Sequence, residues 1–92
     1  MKPQAAIAER IRAALEQALT PIALAVADES GLHAGHAGAR EGGHFRVRIV
    51  SGRFRGVGPL ARHRLVYEAV APLLRSGVHA LAIDARAPEE VT

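Results

Sequence analysis

Two stretches of alternating hydrophobicity, joined by a single stretch of helical spacing, constrain this chain more than any other feature. In residues 44–51, Phe45, Val47 and Ile49 fall on one side and His44, Arg46, Arg48 and Val50 on the other. That is the period-two pattern of a strand with one buried face. Residues 78–83 read as another strand, with His79, Leu81 and Ile83 in phase. Between them, Leu65, Val66, Ala69, Val70 and Leu73 recur at helical spacing over residues 60–75, and Pro59 suits the first turn. Two strands connected through a helix belong side by side and parallel, linked by a right-handed crossover. Pro72 lacks a backbone N–H and is expected to kink or loosen the last helical turn, and Gly77 suits a helix C-terminal cap.

The first half adds a helix and a strand. Ile7, Ile11, Leu15 and Leu19 recur every four residues over residues 4–19, and Pro21 stops that helix. In residues 22–28, Ile22, Leu24 and Val26 alternate with Ala23, Ala25 and Ala27. The alanine side is expected to lie against a closely packed helix. Residues 29–43 form a loop holding Gly31, Gly35, Gly38, Gly42 and Gly43 with His33 and His36. Its glycines lower the cost of many backbone states, so residues 31–43 are expected to be the most mobile internal segment. The order is α-β-β-α-β: one α/β (α+β) domain over residues 1–92, with a three-stranded mixed sheet covered by helices on one face. A chain of this size hides only about 60–65% of its unfolded surface, so nearly every large apolar side chain is needed. Aromatics are 3% of the residues, so the core is expected to be aliphatic and alanine-rich. Residues 87–90 would begin a short final helix.

The chain has no cysteine, which excludes disulfides, thiolate catalysis and any metal site built on its own sulfur. Ser30, Ser51 and Ser76 lie in no nucleophile-elbow pattern, and Gly52-Arg53-Phe54-Arg55-Gly56 lacks the lysine and hydroxyl ending of a phosphate-binding loop. These patterns point away from an enzyme. With no apolar run resembling a leader or a membrane span of about 20 residues, a cytoplasmic protein is expected.

What remains is histidine and arginine. Imidazole binds zinc, copper and iron and can replace cysteine on an iron–sulfur cluster. His79 would be held rigidly on a strand, while His33 or His36 would be brought in by the loop. From spacing alone the simpler reading is solvated loop histidines and a His79 hydrogen-bonded at a sheet end, since the stronger metal signatures require cysteine or a fuller ligand set. Arg46, Arg48, Arg53, Arg55, Arg62 and Arg64 follow one another with no acid among them, in a chain of net charge +3. Such a run is either a solvated basic face or a surface for an acidic protein, a nucleic acid or glutathione. Scarce aromatics give single-stranded nucleic acid little to stack on.

Several motifs, in order, resemble the BolA family across nearly the whole chain. They are Asp28-Glu29-Ser30 with His33 and His36; His44-Phe45-Arg46-Val47 with Ile49-Val50-Ser51; Phe54-x-Gly56; Arg62-His63-Arg64-Leu65-Val66-Tyr67; Gly77-Val78-His79-Ala80-Leu81-Ala82-Ile83; and Ala87-Pro88. The resemblance implies a fold similar to a type II KH domain. It also implies a non-enzymatic partner of a monothiol glutaredoxin, sharing a [2Fe–2S] cluster whose sulfur ligands come from the glutaredoxin and glutathione. No cofactor is expected in the isolated chain. His79 matches the family's strand ligand. His33 is the best match for the loop ligand, with His36 or His44 as substitutes. Some bacterial members resemble DNA-binding regulators of cell shape and stress responses. Here Arg53, Arg55, Arg62, His63 and Arg64 would carry that role, and exposed Arg62 and Arg64 are expected to tolerate charge reversal without loss of fold. Pro72 and the short tail after Ala87 depart from the family pattern.

Overall fold

The computed structural model describes residues 3–29, 43–75 and 78–91. Helix α1 spans Pro3–Leu19. Its residues Ile11, Leu15 and Leu19 are buried, with Ile7, Ala8 and Ala14 packed beside them. The helix ends at Thr20, whose φ of 40° is left-handed. Its N–H still donates to the Glu16 carbonyl at 3.2 Å. Glycine usually fills such a terminating position, whereas a β-branched residue is strained there. Thr20→Gly is therefore expected to stabilise the protein by about 1 kcal/mol, the left-handed cost less glycine's larger entropy loss. A higher urea midpoint with an unchanged slope would show it.

Strand β1, Ala23–Asp28, pairs antiparallel with β2, Gly43–Val50, and β2 pairs parallel with β3, Val78–Arg86. The strand order is β1-β2-β3, so the arginine-bearing strand is central. Phe45, Val47 and Ile49 stand beside Leu81, Ile83 and Ala85 on the face that meets the helices. Helix α2, Pro59–Val70, buries Val66 and Val70 there. Pro59 occupies its first turn behind the cap Gly58. From Ala71 to Arg75 the chain tightens into a 3-10 helix with Leu73 buried. The α-helix thus ends earlier than residue 75, where the missing N–H of Pro72 favours another geometry.

A short 3-10 turn, Gly52–Phe54, follows β2 and drives Phe54 into the core. Ser51, fully buried, holds this corner: its hydroxyl donates to the Leu19 carbonyl at 2.6 Å and accepts from the Arg53 N–H at 3.1 Å. One hydroxyl thereby ties the end of α1, the end of β2 and the turn. The chain finishes in a 3-10 turn, Pro88–Val91, rather than an α-helix.

Two expectations about alanine are corrected. Ala23, Ala25 and Ala27 are exposed, and Leu24 and Val26 take the helix-facing side of β1. Among the described residues Ala87 is the one alanine in the buried core, so the core is not alanine-rich. The reason is area: the larger side chain gains more from leaving water, so Leu24 and Val26 decide which way β1 faces. Strand β3 also runs past residue 83 to Arg86, because Asp84, Ala85 and Arg86 continue the ladder beside Arg48, Ile49 and Val50. The segment expected to be most mobile, residues 31–43, lies outside the described residues except for Gly43, and so does Gly77.

Candidate functional site

Parallel pairing puts the N-terminal ends of β2 and β3 at the same end of the sheet, so His44 and the backbone of His79 lie there. The register passes from Gly43 beside Val78 to His44 beside Ala80. Strand β3 therefore has one extra residue, His79, in its backbone ladder at this point. Such breaks in a ladder gather near functional sites. Across the sheet the Glu29 N–H donates to the His44 carbonyl at 2.7 Å. The segment carrying His33 and His36 thus leaves and re-enters the fold at this end. His33, His36 and the side chain of His79 lie outside the described residues. His44 is half-buried and its Nε2 is closed off from solvent. To bind iron through that atom, its ring would have to turn outward. Among the described residues no three histidine, aspartate or glutamate side chains gather into a metal site.

The basic segment divides into two kinds of residue. Arg53, His63 and Arg64 are exposed. Arg55 is exposed and bonded to Glu89 at 2.7 Å. Arg62 is different, and the expectation of an exposed, freely reversible charge is corrected. Its side chain is only 14% exposed. Nε donates to the Val57 carbonyl at 2.6 Å, and Nη1 donates to the Ala85 carbonyl at 3.0 Å. Both terminal nitrogens engage Glu90, at 2.6 and 3.0 Å. The guanidinium also lies over Phe54, 5.8 Å from the ring centroid. Arg62 thus staples the turn before α2, the end of β3 and the C-terminal turn together. Reversing its charge would break the fold locally, whereas Arg64 can be reversed without such loss. The sequence offered one signal for this network, an Arg and a Glu 28 residues apart; only the fold reveals that they pair.

Glu90 also accepts from the Ala87 N–H at 2.8 Å. Hydrogen bonding from Arg62 first, and from the Ala87 backbone second, lowers its pKa from 4.5 to about 2. A depressed carboxylate contributes stability above its unfolded pKa and loses it as pH falls through the folded value. The stabilisation from Glu90 is therefore complete above about pH 4.5 and disappears toward pH 2. Glu90→Gln is expected to lower the melting temperature at neutral pH, with the gap from wild type closing between those two values. A gap independent of pH would show that the carboxylate charge contributes nothing.

A three-stranded mixed sheet with two helices on one face, a bulged histidine strand and an arginine-bearing second helix defines a small KH-like α/β module. The chain belongs to the BolA family: a family profile described as BolA-like protein matches residues 15–90. It is 55% identical over 80 residues to BolA-like protein 1 of Mus musculus, a match covering 87% of this chain and 57% of the mouse protein. The chain thus spans little more than half the length of that relative. The BolA domain of SufE1 from Arabidopsis thaliana superposes with a TM-score of 0.80 at 48% identity, covering 90% of this chain and 93% of that one. The DNA-binding transcriptional regulator BolA of Escherichia coli is 46% identical over 77 residues, covering 84% of this chain and 71% of that protein. No helix among the described residues is long and apolar enough to cross a membrane.

Proposed function

We propose that this protein is a non-enzymatic adaptor that joins a monothiol glutaredoxin and contributes histidine ligands to a shared [2Fe–2S] cluster. One observation carries the reading: parallel pairing of β2 and β3 brings the bulged residue His79 and both ends of the His33/His36 segment to one end of the sheet. The donor chemistry fits half a ligand set. Imidazole nitrogens bind iron, and with no cysteine in the chain the thiolates must come from a partner and glutathione. When bound, the cluster would supply electron-transfer and iron–sulfur transfer chemistry. The protein's own part is to hold His79 on a strand, present His33 from the loop and dock the partner. A BolA unit built into the longer plant protein SufE1 supports reading this fold as a module that works beside other proteins. The test is reconstitution with a monothiol glutaredoxin, glutathione, iron and sulfide. A visible absorption band requiring both proteins is expected; identical spectra with and without this chain would overturn the reading.

A second reading is a nucleic-acid-binding regulator acting through Arg53, His63 and Arg64. Their exposure and the Escherichia coli relative's role favour it. It demands steep salt dependence, because each phosphate contact releases counterions. Arg64→Glu should weaken DNA binding here, while leaving the melting temperature unchanged.

A further inference from the structure

The sheet face turned away from the helices has no covering element among the described residues, and neither reading above uses it. On β1, Ala23, Ala25 and Ala27 stand opposite Val50, Arg48 and Arg46. On β3, Ala82 and Asp84 stand beside Arg46 and Arg48. All these alanines are exposed. The central strand therefore raises a ridge of long cationic side chains between two gutters floored by methyl groups. At the C-terminal end of β2 and β3 the face opens into a cleft of about 300 Å³, bordered by Arg48, Val50, Asp84, Arg86 and Val91.

We propose that this outer face docks an acidic amphipathic helix of a protein partner. A bare sheet face is ordinarily covered by a helix, and short alanine side chains let a helix backbone approach closely. Charge selects which helix. Arg48 makes no ion pair among the described residues. Arg46 shares Glu29 and Arg86 shares Asp84, both at 2.9 Å and both exposed. Exposed pairs of this kind are worth little and exchange readily for a partner's carboxylates. A small apolar stripe on the incoming helix would lie in the gutters, and glutamates or aspartates on its flanks would reach the ridge. Val50 and Val91 would meet an apolar residue at its end. A second copy is disfavoured, because a two-fold contact would set one arginine ridge against another. A nucleic acid is disfavoured because Asp84 and Glu29 flank the ridge. The chain's few aromatics offer it nothing either: Phe45 and Phe54 are buried and Tyr67 lies on α2.

The test uses the metal-free protein, so its outcome is independent of the cluster reading. The probe is a synthetic helical peptide with an alanine–leucine stripe flanked by glutamates; its lysine counterpart and a DNA duplex are controls. Amide shift mapping is expected to show saturable binding of the acidic peptide, with shifts on residues 23–27 and 80–86. Arg48→Glu should weaken it about tenfold or more by reversing the ridge charge. Ala82→Lys should also weaken it, although lysine adds a favourable charge, because its side chain fills a gutter. Both positions are exposed and neither variant should change the melting temperature appreciably. Four outcomes would overturn the proposal: no saturable binding, equal or tighter binding by Ala82→Lys, shifts confined to His63 and Arg64, or preference of this face for duplex DNA or for a second copy of the chain.

Discussion

His79→Ala is expected to abolish the visible spectrum of the cluster shared with a glutaredoxin, or to shorten its lifetime severely, while far-ultraviolet circular dichroism remains that of the folded protein. His33→Ala is expected to have the smaller effect. The difference is one of preorganisation. His79 lies on β3, fixed by pairing with β2 on both sides of the bulge. His33 belongs to a glycine-rich stretch whose ordering costs entropy. Loss of the loop ligand has substitutes in His36 and, if its ring turns outward, His44. No other histidine lies on β3 to replace His79. Iron binds neutral imidazole, so the wild-type cluster should weaken as pH falls through the ordinary histidine pKa of about 6.5. A folded His79→Ala variant with the wild-type spectrum and lifetime would remove His79 from the ligand set and move DNA binding to first place.

Phe54→Ala is expected to cost about 3–5 kcal/mol, among the largest losses of stability from a single truncation in this protein. Phe54 is fully buried and is one of only two phenylalanines in the chain. A domain of this length has roughly 5–14 kcal/mol in total, so the variant is left marginal. The loss has two parts. The core cavity beneath the 3-10 turn opens, and the aromatic face under the Arg62 guanidinium disappears. Because Arg62 also holds Val57, Ala85 and Glu90, the C-terminal turn should loosen along with the core. Urea unfolding followed by circular dichroism measures the first effect, and amide exchange over residues 85–91 the second. A midpoint close to wild type would mean that the turn does not anchor the core. Faster exchange restricted to the turn itself would uncouple it from the tail.

Much of this architecture was legible because it follows from local periodicity. The four-residue spacing of Ile7, Ile11, Leu15 and Leu19 specified α1, and the alternation around Phe45, Val47 and Ile49 specified β2 and its buried face. Pro72 marked where α-helical geometry would fail, and the helix between β2 and β3 required them to be parallel. Each of these depends on the backbone period and on excluding apolar area from water, which a single segment expresses on its own. The same alternation places the arginine row of β2 on the outer face.

Other features needed a partner from far along the chain. The alanine row of β1 reads in sequence as the packed side, yet Leu24 and Val26 gain more from burial and turn the alanines to solvent. Arg62 looked like one more surface cation in a basic run. Glu90, 28 residues later, together with two backbone carbonyls and Phe54, makes it a staple. The bulge at His79 is likewise invisible in β3 alone, because it exists only as a mismatch of register with β2. Sequence by itself determined the order of elements, the central strand's two faces and the family, since these are written in nearest-neighbour spacing and ordered motifs. Tertiary structure alone decided which small residues face water, which arginine is held and where the β2–β3 ladder breaks register, because those outcomes depend on contacts between segments that the sequence does not place side by side.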